Sequence, residues 1–573
     1  MKQLLRLSSS SYVRSRQDHM LPRLDAALQA DMSQGFGSTF SKEQSVPHTD
    51  NTPDARHISV QEIQSDCLQY RFYFASTHSR WHMFGIVSSR RAIRLSSCKQ
   101  SIYSINCVYS NQRTFLAMPT ETARQHAQDY IDYVHASPTP YHAVKTAKQR
   151  LDKAGFKQIK ERDPWGSTVV PGGKYYTTRN ASTIVAFAVG KKWKPGNPIS
   201  IIGSHVDSCV LRLKPVSKRQ ADGYLQFGVE CYGGGLWATW FDRDLGVAGR
   251  VMCRTKDGGI EQKEVNLERP IARVPSLAPH FGKSVPFEFN KETQLFPIAG
   301  LVEAELNRTG QTAEEAKKEE KSSESADSFS PVKPMSQRHH PYLLELIAKD
   351  AGVNAEDIID FELILYDIQK PSFGGINDEF VLAARQDNLG MTYCALEGLI
   401  RSTSHSGVSL DHDNTIRMIA GFDHEEIGST SAQGANSSVL PSIVRRLSCL
   451  PVSSDAQSDA SYDRASSETT DTSTAYEQTL ATSFMISADM THGINPNYAG
   501  MYEGEHKPHI NKGVVIKVNA NQRYATNSPG IALLQEAARK AKRNPSDKRA
   551  SGEGVPLQYF VAKNDMPCGS TIG

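Results

Sequence analysis

The chain has 573 residues, 39 % apolar and 22 % charged, an ordinary soluble composition long enough to bury a large core. A formal charge of +3 provides no broad basic field, which argues against nucleic-acid binding, and no uninterrupted apolar run is long enough to span a bilayer. The nine cysteines are scattered and form no C-x-x-C pair, which points to reduced thiols rather than a disulfide frame or a cysteine-type zinc site.

Residues 1–117 lack a clear period and are rich in Ser, Arg and His. Lys2, Arg6, Arg14 and Arg16 against Asp18 weakly resemble a transit peptide. The expectation is a disordered extension, or a start codon placed too far upstream, because patterned sequence begins at Met118. Thr120 is positioned to cap a helix reaching His135, and Ser137-Pro138-Thr139-Pro140 breaks it. A second helix over 141–154 ends at Gly155. Residues 183–189 (TIVAFAV) and 199–202 (ISII) read as strands. Short strands and Gly-rich turns occupy 209–370, with a Lys/Glu/Ser-rich stretch at 303–340 expected to be a solvated loop. Beyond 371 the pattern returns to α/β. Helices are predicted at 387–400, 437–447 and 531–543, and strands at 415–422, 484–488, 513–518 and 558–562. Residues 451–478 are Ser/Thr/Asp-rich and expected to be disordered. Apolar strands alternating with helices predict a three-layer, mainly parallel α/β sheet covered on both faces. Its two parts, 118–208 and 371–573, flank a second, β-rich domain inserted at 209–370. No internal repeat is evident.

In such sheets ligands bind beyond the carboxyl ends of the strands. The residues just after each apolar run are therefore informative. His205 and Asp207 come after 199–202. Asp423, His424, Glu425 and Glu426 come after 415–422. Asp489 and His492 come after 484–488, and Asp387 opens the helix at 387. Gathered at one edge, these carboxylates repel each other unless a cation holds them. Mixed imidazole and carboxylate donors suit Zn2+, with Mn2+ or Co2+ as alternatives. Asp207, two residues after His205, is placed to orient it as a ligand. Adjacent strand residues point to opposite faces, so Glu425 and Glu426 can serve a water and a metal separately.

Each residue has a plainer reading. His205 alone reads as a core histidine, Asp387 and Asp489 as helix caps, His492 as a surface histidine, and Glu425-Glu426 as an acidic turn. The joint pattern outweighs them. His48-Thr49-Asp50 repeats the His-x-Asp spacing without a preceding strand and is discounted. The second His of H-E-x-x-H is absent after His424-Glu425, and there is no G-x-S-x-G elbow, P-loop or dinucleotide fingerprint. Tyr232-Gly233-Gly234-Gly235-Leu236-Trp237 lacks phosphate-loop spacing and reads as a tight turn.

The segments GSHVDS (203–208), GVECYGGGLWATWFDRDLGVAGRV (228–251), ARQDNLG (384–390), FDHEEIGSTSAQGA (422–435), ADMTHGINPNY (488–498), GVVIKVNANQRYA (513–525) and NDMPCGSTIG (564–573) resemble the aspartyl aminopeptidase family of metallo-aminopeptidases. The resemblance covers about 118–573. It implies a zinc-peptidase-like fold and a two-zinc exopeptidase that removes N-terminal Asp or Glu from peptides. It implies that His205 and Asp489 bind one metal, Asp387 bridges, Glu426 binds the other, Asp207 backs His205, and Glu425 is the general base and a substrate contact. Further substrate contacts are implied at His492, Lys517 and Tyr524, although Lys517 alone reads as an exposed strand lysine. His280 matches a histidine supplied to a neighbouring subunit, while Ser276 stands where relatives carry another His. The inserted domain is expected to mediate dimerisation, and dimers to build a dodecamer. Reduced cysteines favour the cytoplasm; fungal relatives also reach the vacuole, and the Arg/Ser-rich front leaves a mitochondrial alternative. The sequence stops at Gly573, where relatives continue to a His completing the second zinc site. The expectation is either a truncated gene model or a product with one metal site incomplete, with weak second-metal binding and greatly reduced activity. The alternatives are a related aminopeptidase preferring neutral residues, and a non-catalytic assembly subunit or peptide binder.

Overall fold

The computed structural model describes residues 59–65, 68–77, 80–87, 121–281, 288–312, 314–315, 332–404, 409–451, 472–541 and 557–562. The chain divides into two units, Met1–Asn111 and Gln112–Gly573. In the first, β1 (Ser59–Ser65), β2 (Leu68–Thr77) and β3 (Arg80–Val87) form an antiparallel meander. The sequence pattern predicts no element there. The Ser/Arg/His composition of the region hides a local run of strand-favouring aromatics at Tyr70, Phe72, Tyr73 and Phe74.

The second unit opens with α1 (Glu121–His135) and α2 (Pro140–Lys153). Thr139 caps α2 by accepting from the His142 amide, Pro140 starts it, and Gly155, at φ 81°, ends it. Thr120 lies outside the described residues. The strands β4 (Lys157–Gln158), β5 (Lys174–Arg179), β6 (Thr183–Val189) and β7 (Ile199–His205) come next.

The chain then leaves for a separate antiparallel sheet. It comprises β8 (Val210–Ala221), β9 (Tyr224–Tyr232), β10 (Leu245–Arg254), β11 (Ile260–Ala272), β12 (Ile298–Leu301) and β13 (Ile358–Asp367). Their spatial order is β11-β10-β13-β8-β9-β12. The helices α3 (Val302–Thr309), α4 (Met335–Arg338) and α5 (Pro341–Ala351) accompany it. Leu343 and Ile347 of α5 join Leu211, Val247, Leu363 and Leu365 in its core.

Residues 303–340 are therefore not one solvated loop. α3 occupies the front, and Met335, Arg338, His339 and His340 are buried at the end. The average polarity of the stretch concealed both ends; 316–331 lie outside the described residues.

A hairpin, β14 (Ser372–Gly374) with β15 (Phe380–Leu382), leads back to α6 (Gln386–Ser402), β16 (Ile416–Phe422) and α7 (Val439–Ser448). α8 (Ala475–Thr482) and β17 (Phe484–Ser487) come next, then β18 (Val514–Val518), α9 (Ser528–Lys540) and β19 (Leu557–Val561). α8 begins inside the stretch expected to be disordered, with Ala475 and Thr479 buried; 452–471 lie outside the described residues.

The main sheet has the order β17-β7-β16-β6-β5-β4. Only β6 runs against the others, since it is antiparallel to both β16 and β5. The sheet is mainly parallel, as predicted. Every residue of β6 is buried. Val185, Phe187 and Val189 face Ile443 and Leu447 of α7, while Ile184 and Ala186 face Val144, Leu151 and Leu396. That alternation gives three layers, with helices on both faces. β18 and β19 pair in a separate two-stranded parallel sheet. Among the described residues, no helix is long and apolar enough to cross a membrane.

Candidate metal centre

The parallel register places Phe422 of β16 beside His205 of β7, and Ser487 of β17 beside Gly203. Three adjacent strands thus end at one edge. His205 is the last residue of β7; its carbonyl accepts from the Thr392 hydroxyl on α6 at 2.7 Å. Its Nδ1 faces the Asp207 carbonyl oxygen at 3.0 Å and Asp207 Oδ1 at 3.3 Å. That leaves Nε2 toward three carboxylates: Asp387 Oδ1 at 3.2 Å, Asp489 Oδ1 at 3.6 Å and Glu425 Oε2 at 3.7 Å.

Asp387 is not a helix cap. No side-chain capping bond is made at the start of α6, and the Asp387 carbonyl accepts from Ser208 at 2.6 Å. Asp489 likewise lies beyond β17 in a loop rather than a helix.

Glu425 and Glu426 lie in a 3-10 turn, Glu425–Ile427, entered through His424 at φ 65°. Their divergence comes from this turn and not from strand alternation, because β16 already ends at Phe422. Glu425 reaches toward His205, whereas Glu426 Oε2 accepts from the Cys209 thiol at 3.0 Å. Asp423 and His424 stay outside the cluster. His424 Nε2 lies 3.4 Å from Asp423 Oδ2, and its Nδ1 meets Ser431 Oγ at 2.7 Å.

Asp207 is the hub behind the cluster. Its side chain is 1 % exposed. Oδ1 accepts from the Glu425 amide at 3.2 Å, and Oδ2 from the Glu426 amide at 3.1 Å and the Tyr232 hydroxyl at 2.8 Å. Sequence reasoning does not reach Tyr232 and Cys209 as site residues, since their partners lie across the chain fold and share no sequence spacing with them.

The electrostatics call for a cation. Burial opposes charge on His205, yet Asp207, Asp387 and Asp489 outweigh it and push its pKa up to about 12. Burial and the neighbouring carboxylates raise both Glu425 and Glu426 above the usual range. Asp489 Oδ1 is buried without a hydrogen-bond partner. Donor atoms of His205, Asp387 and Asp489 lie within 4.8 Å of one another. One imidazole with carboxylates and an orphaned buried oxygen fit a divalent cation of the zinc type.

On one side, Lys517 Nζ lies 3.4 Å from Asp489 Oδ2 with its side chain 13 % exposed, and 5.5 Å from the centre of the Tyr524 ring. It is not an exposed strand lysine. His492 is exposed, as a surface histidine would be, but stands edge-on to Phe560 at 5.0 Å, and partial desolvation lowers its pKa. On the other side a cleft of about 700 Å³ opens, its lining including Cys209, Trp240, Arg385, Asp387 and Glu426. His280 stands on an exposed turn, Pro279–Phe281, and does not join the cluster. The segment at 564–573 lies outside the described residues.

A three-layer sheet with a β-rich insert, presenting an imidazole–carboxylate cluster at its carboxyl edge, defines a metallohydrolase of the zinc-peptidase type. The model of the aminopeptidase I zinc metalloprotease family (M18) matches residues 133–573. The chain belongs to that family and is a metallo-aminopeptidase. It is 58 % identical over 454 residues to an aspartyl aminopeptidase of Aspergillus oryzae, covering 79 % of this chain and 87 % of the relative. Among solved structures, the Ape4 and Nbr1 complex matches with a TM-score of 0.66 at 44 % identity, over 79 % of this chain and 77 % of that one. The mApe1 dodecamer of Saccharomyces cerevisiae matches with a TM-score of 0.59 at 32 % identity, over 77 % and 85 %.

Proposed function

We propose that this protein is an aspartyl aminopeptidase, removing Asp or Glu from peptide N-termini. The observation that carries the reading is Lys517, a largely buried cation 3.4 Å from the candidate ligand Asp489. An acidic substrate side chain beside the scissile bond gains a charge-assisted partner there, and a neutral one does not. Tyr524 and His492 flank this position.

His205, Asp387 and Asp489 would hold one zinc ion, and Glu426 with Asp387 would contribute to a second, incomplete site, with Mn2+ or Co2+ as substitutes. The chemistry that bound zinc supplies is Lewis-acid polarisation of the scissile carbonyl and acidification of a nearby water. Glu425, kept basic enough by burial and its acidic neighbours, takes the proton of the attacking water and delivers it to the leaving amine. Asp207 holds His205 in one orientation. The cleft beside Asp387 and Glu426 receives the leaving peptide.

The inserted domain is the proposed dimerisation module, with His280 exposed to reach a neighbouring subunit and the dodecameric relative as the template for assembly. Cys209, Cys231, Cys253, Cys394 and Cys449 are free thiols, which supports a cytoplasmic location; vacuolar delivery is the alternative.

Hydrolysis of Asp-, Glu- and Leu-derived chromogenic substrates tests the reading, with Glu425→Gln alongside. Asp and Glu turnover well above Leu, lost in Glu425→Gln while peptide binding persists, is expected. A Leu preference points to a neutral aminopeptidase. Binding with no wild-type turnover points to a non-catalytic subunit.

A further inference from the structure

We infer that Tyr232 is a positioning residue of the metal centre, through which the inserted domain holds Asp207 and, by way of it, His205. Tyr232 is the last residue of β9, in the inserted sheet. Its hydroxyl donates to Asp207 Oδ2 at 2.8 Å, the shortest of the bonds to that carboxylate. The other donors to Asp207 come from the catalytic domain: the amides of Glu425 and Glu426, with His205 Nδ1 3.3 Å from Oδ1. Both oxygens are thereby fixed, and the carboxylate cannot rotate.

Removing the Tyr232 hydroxyl leaves Oδ2 with the Glu426 amide alone. The plane of the carboxylate is then free to turn, and the orientation of the His205 ring loosens with it. The next residue strengthens the link. Gly233 packs so closely that a Cβ there would lie 2.7 Å from Cys209 Sγ and 3.1 Å from Glu426 Cβ. The inserted domain therefore touches the turn carrying both glutamates and the carboxylate behind the histidine. A domain assigned only to assembly also completes the support of the zinc ligands. This inference rests on the reading of His205 as a metal ligand.

Tyr232→Phe tests it, because the ring and its packing remain. Zinc retention is measured by chelator competition on the folded, gel-filtered protein, and kcat and KM on an Asp-derived substrate. Retention and kcat are expected to fall about 10–100-fold, with KM within about twofold. Tyr141→Phe is the control: its hydroxyl crosses the same domain boundary to Glu362 at 2.8 Å without touching Asp207, and its zinc retention should match wild type. In a double-mutant cycle, Tyr232→Phe should add nothing to Asp207→Asn. Wild-type zinc retention in Tyr232→Phe, equal losses in Tyr141→Phe, or full additivity with Asp207→Asn overturns the inference. Zinc retention is read without substrate, so a failure of the aspartyl aminopeptidase reading leaves this test intact.

Discussion

Gly233→Ala is the sharpest probe of how the inserted domain meets the metal centre. Gly233 has φ 82°, in the left-handed region. An L side chain there costs about 1–2 kcal/mol. The added Cβ would also lie 2.7 Å from Cys209 Sγ, 3.1 Å from Glu426 Cβ and 3.3 Å from the Glu426 carbonyl oxygen. Overpacking of this kind costs about 1–3 kcal/mol, offset by about 0.4–1 kcal/mol from a less flexible unfolded chain. The net expectation is about 1–4.5 kcal/mol of lost stability. The strain falls on Cys209, whose thiol holds Glu426 Oε2 at 3.0 Å, so zinc retention and kcat should each drop about tenfold. Gly234 is the internal comparison. A Cβ added there would meet no atom within 4 Å, and its φ is not positive, so Gly234→Ala should stay within about 0.5 kcal/mol. Denaturant unfolding of the zinc-loaded proteins and chelator competition read both variants. A Gly233→Ala protein that unfolds and holds zinc like wild type, or a Gly234→Ala protein that suffers as much, refutes a tight contact at Gly233.

Glu425→Gln should lower kcat about 10²–10⁴-fold, measured under saturating substrate, with zinc content unchanged. Lys517→Met should erase about 10–100-fold of the preference for Asp over Leu substrates, measured as the ratio of kcat/KM values; an unchanged ratio moves the specificity elsewhere. Chelation should abolish activity and lower the melting temperature, because zinc bound at 100 times its dissociation constant contributes about 2.7 kcal/mol. Calorimetry of the stripped and reloaded protein checks this, and identical melts refute it. Burial opposes the Glu362 carboxylate, but the hydrogen bond from Tyr141 and the charges of Arg250 and Arg212 win and lower its pKa below the ordinary 4.5. A depressed carboxyl contributes stability that is complete above 4.5 and is lost as pH falls through the folded value. Glu362→Gln should therefore flatten the acid side of the stability profile below that pH, and an unaltered acid limb counts against it.

Much of the candidate site was legible because of where polarity interrupts apolar runs. His205, Glu425 and Asp489 each sit at or just beyond a strand end, and parallel strands laid side by side must bring such ends together. Local sequence also marked the β6 strand, the break after α1 at 137–140 and the stop of α2 at Gly155. Other features depend on partners distant along the chain. Tyr232 reads as the start of a glycine turn, and only the seating of β9 in the folded chain turns its hydroxyl to Asp207. Cys209 carries no signal until the fold sets it against Glu426. The opposite aims of Glu425 and Glu426 arise from a 3-10 turn behind a left-handed His424, a geometry that alternation along a strand does not describe. Composition averaged over 303–340 hid α3 and the buried Met335 and Arg338 of α4 for a related reason, since burial is decided by what packs opposite.

Taken alone, the order of residues marked β6, β7, β16 and β17 and the helices α1, α2, α6 and α7, and which acids and imidazoles sit at their ends. Those properties are set by neighbours a few positions away, through backbone preference and hydrophobic period. The tertiary structure decided which of these groups meet, how their oxygens and nitrogens are aimed, and that Tyr232 of the second sheet reaches Asp207. Such relations join residues as far apart as His205 and Asp489, and they exist only once the sheet has formed and brought its strand ends side by side.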